Sequence, residues 1–515
     1  MNQYKKSDRT ICKTGRGGLA IFGIILMVIC IPVIVRAALI QNVKPSAESA
    51  TGNKSELVDF AHTTDVHIMD EGNPLRAEEL KVLFGENPAL YPDLGWLLLN
   101  LIPPAHRNIG SYTPLIWQAI IQSVNDANMS DPMDFLISTG DHTDTSVQDE
   151  LELFVAIADG TVLPSFKPHT NHAGLSTKIP QGGEGLVMPW YAAVGNHDSE
   201  YQGTFNTLGV VSVLIRGLAY VPEKNYYISN QDYLADVLRI ESGHGLSELT
   251  TGGYYSFDPT PYVHCIVLNT ADFNPDINLP LETLSQGVLH KDQFAWMKTE
   301  IEKNQDKLCI LFAHHGPNAF SPFVKDNNKN YISTQKLKNA LMSYDNVIAF
   351  VDGHTHVNKI VAETAGNGKG YWDINTCGVA DWPQEWRRIT VRDNGDGTGT
   401  IVCTMHTYSP EILTQEKYQM TDPVTKQLLP VVYDIGVPIR TVSEEENDVS
   451  AAGGVQDRDV NLAFAIPVNV KATIIANSNP VEPESNGQNS SQAQANADDS
   501  GGGSSGGCFI ATAGI

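Results

Sequence analysis

Six short apolar runs, at residues 57–61, 135–138, 190–194, 264–268, 309–313 and 347–351, each close in polar or glycine-rich residues and alternate with helix-like stretches. Runs of this length and spacing predict strands of an α/β architecture. In such folds the loops beyond the carboxyl ends of strands build sites, so chemistry is expected just after each run. Five of the six exits carry metal-ligating side chains: Asp65-Val-His67, Gly140-Asp141-His142-Thr143-Asp144, Gly195-Asn196-His197-Asp198, Ala313-His314-His315-Gly316 and Gly353-His354-Thr355-His356. Any one of them alone reads as a turn or a helix start, because Asp and Gly favour such positions for backbone reasons.

Taken in order, the five segments resemble the signature of the calcineurin-like metallophosphoesterase superfamily: Asp-x-His, Gly-Asp-x-x followed by Asp or another residue, Gly-Asn-His followed by Asp or Glu, a lone His and Gly-His-x-His. The resemblance covers most of the span from Asp59 to about Val391. It implies two mixed β-sheets packed face to face and flanked by helices, a four-layer sandwich. It also implies a phosphoric ester hydrolase, a phosphatase or phosphodiesterase, that uses two divalent metal ions. On that resemblance Asp141 bridges the ions, Asp65, His67 and His356 serve the first, and Asn196, His314 and His354 serve the second.

The chemistry of this residue set is understandable in its own right. Two divalent cations about 3.5–4 Å apart need terminal ligands and a bridge, and the two oxygens of a carboxylate can bridge. Imidazole and carboxylate without thiolate suit Mn, Fe, Zn or Co and select no single element. A metal-bound water that loses its proton near neutral pH then attacks phosphorus in line, opposite the leaving alkoxide. His197 resembles the superfamily's phosphate-contacting histidine, a group placed to stabilise the transition state or protonate the leaving oxygen. Asp198 is expected to hold the His197 ring in orientation.

Other residues receive plainer readings. Of the adjacent pair, His314 is expected to face the metals and His315 to point elsewhere, since neighbouring side chains leaving a strand diverge. His142, His62 and His264 match no ligand position and read as ordinary hydrogen-bonded histidines. Asp144 stands where purple acid phosphatases carry a tyrosine ligand, which argues against a tyrosinate-bound ferric site. Arg387 and Arg388, after Trp382-Pro383, read as part of a bend before an edge strand, with contact to a substrate phosphate as the alternative. The segment from Asn394 to Gly399 reads as a hairpin turn.

The chain has 515 residues, 34 basic and 59 acidic, for a net charge of −25, with 42% hydrophobic residues. This excludes a wholly disordered chain and a multi-span membrane protein. So acidic a chain repels phosphate backbones, and no general nucleic-acid binding is expected. Lys5, Lys6, Arg9, Lys13 and Arg16 precede an apolar run at 19–35, an export signal or membrane anchor within 1–40. The catalytic body is therefore expected outside the cytoplasm, secreted, periplasmic or attached to a membrane through that run.

A metallophosphoesterase domain is expected over 56–410, with insertions near 68–134 and 199–262 that wall the cleft and set specificity. A β-rich extension follows at 411–475, and a Gly/Ser/Asn-rich tail at 476–515 reads as a flexible tether. Cys508 in the tail reads as an inert position or an attachment point. The seven cysteines form no Cys-x-x-Cys pair, and Cys265 and Cys309 read as buried free thiols. The rival reading is a noncatalytic metal-binding scaffold or adhesion protein on the same fold. Retention of all seven expected ligands together with His197 favours the enzyme.

Overall fold

A computed structural model describes residues 40–43, 55–76, 109–162, 167–171, 176–180, 182–206, 252–271, 285–366, 368–409, 417–421, 428–434 and 449–478. A few single positions and short stretches between them, such as Tyr227, Tyr233 and Val237, are also described. The apolar run 19–35 and Cys508 lie outside the described residues. Among the described residues no helix is long and apolar enough to cross a membrane.

The strands, in chain order, are β1 (Ile40–Val43), β2 (Ser55–Thr63), β3 (Phe135–Ser138), β4 (Trp190–Ala192), β5 (Glu200–Tyr201), β6 (Phe205–Asn206), β7 (Glu248–Leu249), β8 (Tyr255–Thr260) and β9 (Val263–Val267). They continue with β10 (Leu308–Phe312), β11 (Val347–Asp352), β12 (Lys359–Thr364), β13 (Gly370–Asn375), β14 (Glu385–Asp393), β15 (Thr398–Thr407), β16 (Lys417–Thr421), β17 (Leu428–Asp434) and β18 (Val460–Ala465). Among the described residues two seven-stranded sheets form, in the orders β1-β18-β15-β14-β2-β3-β4 and β12-β13-β11-β10-β9-β8-β7, beside the two-stranded pairs β5-β6 and β16-β17. Both are mixed. In the first, β2, β3 and β4 run parallel and the rest antiparallel. In the second, β9, β10, β11 and β13 run parallel.

All six expected strands form, and the expected sandwich is the observed fold. The sheets pack face to face through aromatic rings that alternate along their strands. Phe60 and Phe135 of the first sheet meet Phe312 and Phe257 of the second at 5.5 and 5.3 Å between centroids, and Tyr191 stacks on Phe257 at 3.8 Å. Helices cover the outer faces. On the first sheet, α1 (Thr113–Ser130) and α2 (Gln148–Ala158) pack through Trp117, stacked on Phe154, which meets Trp190 edge-on. On the second, Phe294, Met297 and Ile301 of α4 (Lys291–Lys303) and Leu337 and Leu341 of α5 (Thr334–Leu341) cover Leu311 and Phe350. A short helix, α3 (Asn196–Ser199), follows β4, and α6 (Val468–Ser478) follows β18.

Two features of the C-terminal half differ from expectation. β14 is not an edge strand: it is hydrogen-bonded between β15 and β2. Segment 411–475 supplies β18, which lies between β1 and β15 in the first sheet. On the covered face of β14, Arg387 buries its guanidinium. It does so by donating to the carbonyls of Asp457, Arg458 and Asn375, to Thr376 and to Asn358. Asn394–Thr398 closes the tight connection of β14 to β15, as expected. Cys265, Cys309, Cys377 and Cys403 are free and buried, and burial pushes the thiols of Cys377 and Cys403 up, to about 12 and about 11.

Candidate metal centre

The carboxyl ends of the parallel strands in both sheets open at one edge of the sandwich. The exits of β2, β3, β4, β10 and β11 meet there, and backbone hydrogen bonds stitch them together. Asp65 donates its amide to Gly140 at 3.0 Å, His67 to Asp141 at 2.9 Å and Gly353 to His314 at 3.0 Å. The His354 amide donates to Asp65 Oδ2 at 2.9 Å and the His197 amide to Asp141 Oδ1 at 2.8 Å. Loops this close leave no room for side chains at the motif glycines. A Cβ at Gly195 would collide with Asp141, and one at Gly353 with Thr64 and Asp65.

The price appears in the backbone. Asp65, His67, Asp141, His354 and His356 all hold positive φ, between 45° and 66°, a region that favours glycine. Such strain persists only where the surroundings over-determine it, and it clusters at functional sites.

All seven expected metal ligands come together. Around Asp65 Oδ1 lie His356 Nε2 at 3.0 Å, His67 Nε2 at 3.8 Å and His314 Nε2 at 4.0 Å. Asp141 offers Oδ1 to His314 Nε2 at 3.3 Å and Oδ2 to His67 Nε2 at 3.6 Å. Asn196 Oδ1 is 3.0 Å from His314 Nε2, and the His354 ring is 5.1 Å from that of His314. Asp65, His67, Asp141, Asn196 and His314 are buried, while His197, His354 and His356 are partly open. Four overlapping groups of these side chains, one of them including His315 and another His197, could each hold a metal ion.

The outer nitrogens explain which atoms face inward. His314 Nδ1 donates to the Thr139 carbonyl at 2.8 Å, and His197 Nδ1 to the Asp144 carbonyl at 2.6 Å. His356 Nδ1 faces the Asp381 carboxylate, and His67 Nδ1 lies 3.2 Å from Asp144 Oδ1. A carbonyl can only accept, so on His314 and His197 Nδ1 carries the proton, and in its neutral form each of these two rings presents an Nε2 lone pair. The Asn196 amide is fixed in the same sense, because its Nδ2 donates to the Gly203 carbonyl at 3.0 Å and turns Oδ1 inward. The result is a pocket of acceptors facing acceptors: His67 Nε2 and His356 Nε2 stand 3.3 Å apart beside Asp65. Neutral imidazole, carboxylate and amide oxygen in this arrangement fit divalent cations.

Without cations the pocket holds protons. Burial opposes charge on His314 and His356, yet the carboxylates of Asp141 and Asp65 raise His314 to about 9, and those of Asp65 and Asp381 raise His356 to about 10. Burial would raise Asp65 and Asp141, but the surrounding histidines hold both well below the usual carboxylate range. His354, desolvated and beside His314, falls to about 3. Burial also lowers His197, against the pull of Asp141.

Several expectations need correction or completion. Asp198 does not orient His197. Its carboxylate accepts from the amides of His142, Thr143 and Gly195 and faces His142 Nδ1 at 3.1 Å, so it ties the β3 and β4 exits together. The short helix α3 turns the two side chains apart, and the Asp144 carbonyl takes the role assigned to Asp198. His315 faces Thr270 and the Ser285 carbonyl, with its ring 4.3 Å from that of His354. His62, His142 and His264 are hydrogen-bonded in the body of the fold, as expected. Arg387 faces the C-terminal segment, and Arg388, on the opposite face of the strand, pairs with Asp59 and Asp131. Asp381 and Thr139 were not legible as site residues: one lies outside every motif, and the other acts through its carbonyl, which any residue carries.

The comparisons with known proteins follow this geometry. The profile of the family described as calcineurin-like phosphoesterase matches residues 58–358, more than half of the chain. Over 89 residues the chain is 30% identical to a probable glycerophosphodiester phosphodiesterase of Arcobacter nitrofigilis. That match spans 16% of this chain and 33% of that protein, about a third of the relative's length. Among solved structures, a dimetal phosphatase of Danio rerio is similar with 13% identity and a TM-score of 0.40, covering 69% of this chain and 100% of that one. A purple acid phosphatase of yellow lupin, Lupinus luteus, is similar with 10% identity and a TM-score of 0.31, covering 69% of this chain and 53% of that one. The chain belongs to the calcineurin-like phosphoesterase family.

Proposed function

We propose that the protein is a dinuclear-metal phosphoesterase that hydrolyses phosphate monoesters or diesters outside the cytoplasm. The observation that carries this reading is the meeting of His67, His314 and His356 Nε2 with two buried carboxylates, the His314 and His356 rings anchored from behind through Nδ1. Asp65, His67 and His356 would hold one cation, Asn196, His314 and His354 the other, and Asp141 both. When bound, divalent cations supply a Lewis acid that polarises a phosphoryl oxygen and makes water a nucleophile at neutral pH.

The chain's own residues set up that chemistry. Asp65 and Asp141 bring two negative charges against the four positive charges of a divalent pair, and neutral Asn196 adds none, so the centre attracts a phosphate ester. The Asp144 carbonyl fixes the Nδ1 proton of His197 and leaves Nε2 for the substrate. Gly203 packs against that edge of the ring, where a Cβ would collide with Nε2. To donate to a phosphoryl or leaving oxygen His197 must be the imidazolium, which burial opposes, lowering its pKa, and Asp141 favours.

The relative that is a probable glycerophosphodiester phosphodiesterase supports counting diesters among the substrates. The basic residues ahead of the apolar run 19–35 support export, and N-terminal sequencing of protein recovered outside the cytoplasm would test it. For the reaction, the test is hydrolysis of nitrophenyl phosphate and bis-nitrophenyl phosphate by the purified chain with manganese. The expected result is turnover that a chelator abolishes. A manganese-loaded chain that cleaves neither ester overturns the reading.

A further inference from the structure

We propose that Arg76 is a positioning residue of this centre, acting through Asp144 to hold the rings of His67 and His197. The proposal rests on the reading of the site as a metal centre and deepens it. Arg76 lies in the turn after the β2 exit and is buried, at 1% exposure, with Nη1 2.7 Å from Asp144 Oδ2. Asp144, fully buried, is a hub. Its other carboxylate oxygen lies 3.2 Å from His67 Nδ1, and its carbonyl accepts from His197 Nδ1 at 2.6 Å. One residue therefore sits behind a ring from the first motif and a ring from the third.

Both ends of the pair are held. The Asp144 amide donates to Glu150 Oε2 at 3.0 Å, and the Thr145 amide donates to the same oxygen at 2.8 Å. The Arg76 turn is closed by its amide on the Asn73 carbonyl at 2.9 Å, and the Leu75 carbonyl accepts from the Tyr201 hydroxyl at 2.6 Å. Tyr201 is in β5, just beyond α3, so the turn that carries Arg76 is fixed to the loop that carries His197. A buried ion pair of this kind is weak support for stability, because desolvation offsets the attraction. Its placement does have a consequence: with the guanidinium on Oδ2, Oδ1 stays 3.2 Å from His67 Nδ1, and the Asp144 backbone keeps its carbonyl on His197. Outer partners of this type typically change metal affinity or activity by about 10–100-fold.

The test uses the full chain and its Arg76→Met, Arg76→Lys, Asp144→Asn and Arg76→Met/Asp144→Asn variants. Manganese affinity is read by calorimetry, and imidazole nitrogen shifts are read by NMR on metal-free, histidine-labelled protein. Arg76→Met should weaken manganese about 10–100-fold and disturb the His67 and His197 signals together, Asp144→Asn should do the same, and the double variant should be no worse than the weaker single one. Arg76→Lys, which keeps the charge, should stay within about threefold of the parent and well above Arg76→Met. A folded Arg76→Met chain with parental manganese affinity and both rings unchanged overturns the proposal. If Arg76→Met does not fold, a folded Asp144→Asn chain with parental affinity and rings overturns it equally. A parent chain that shows these dependences but hydrolyses no ester overturns the proposed function and leaves this assignment standing.

Discussion

Two buried polar clusters in this molecule differ in what completes them. Around Arg387 every contact pairs a donor with an acceptor: guanidinium nitrogens reach the carbonyls of Asp457, Arg458 and Asn375 and the side chains of Thr376 and Asn358 at 2.9 to 3.4 Å. At the metal centre the inward atoms are acceptors, and Asn196 Oδ1, Asp141 Oδ1 and His314 Nε2 face one another at 3.0 and 3.3 Å. The first cluster is satisfied by the chain alone. The second is satisfied only by protons or cations, and its loops carry the left-handed backbone at Asp65, His67, Asp141, His354 and His356. Burial alone does not mark a functional site; a buried cluster whose donors and acceptors do not balance does.

The contrast can be broken most severely at Asp141. Asp141→Ala should remove manganese binding and lower ester hydrolysis by more than about a thousandfold while far-UV circular dichroism is retained. His197→Ala should lower turnover by about 100- to 10,000-fold with manganese content unchanged, as read by steady-state kinetics beside elemental analysis. Arg387→Met should do the reverse: a loss of about 3 kcal/mol in denaturant unfolding, because buried carbonyls lose their donor, with turnover per folded molecule within about twofold.

pH separates the two states of the centre. His314 and His356, raised to about 9 and about 10 in the metal-free pocket, are charged at neutral pH, so manganese must displace their protons. Calorimetry in buffers of different ionisation enthalpy should show proton release, with affinity rising with pH up to about 10. The metal-free chain should behave oppositely. A histidine with a raised folded pKa adds stability below its unfolded value near 6.5, and that stability is lost as pH climbs through 9 and 10. The thermal midpoint should therefore fall over that window without metal. The smallest effect belongs to Lys369→Met, whose pair with Asp345 at 2.8 Å is exposed and contributes under about 0.5 kcal/mol.

The sandwich and the seven inward-facing residues were readable because each strand exit announces itself locally, in an apolar run followed by Asp, Asn or His. What was not readable depends on contacts between distant segments. Asp198 is expected beside His197 because they are neighbours in sequence, but consecutive positions on a helix point about 100° apart, and the carboxylate meets His142 instead. Asp381 and Arg76 lie outside the motifs, and nothing in their neighbourhoods marks the carboxylate of one as partner to His356 or the charge of the other as partner to Asp144. β14 reads as an edge strand, but β15 and β2 pair with it on either side, and β18, from a segment with no distinctive pattern, adds beyond β15.

If acceptors face one another at the β2, β3, β4, β10 and β11 exits because a pair of divalent ions belongs there, the purified chain must bind such a pair. Equilibrium manganese binding, measured beside the Asp141→Ala variant, decides the matter. Two ions per parent chain and loss of both in the variant are expected. A parent chain that binds none, or a variant that binds two as tightly as the parent, would contradict this.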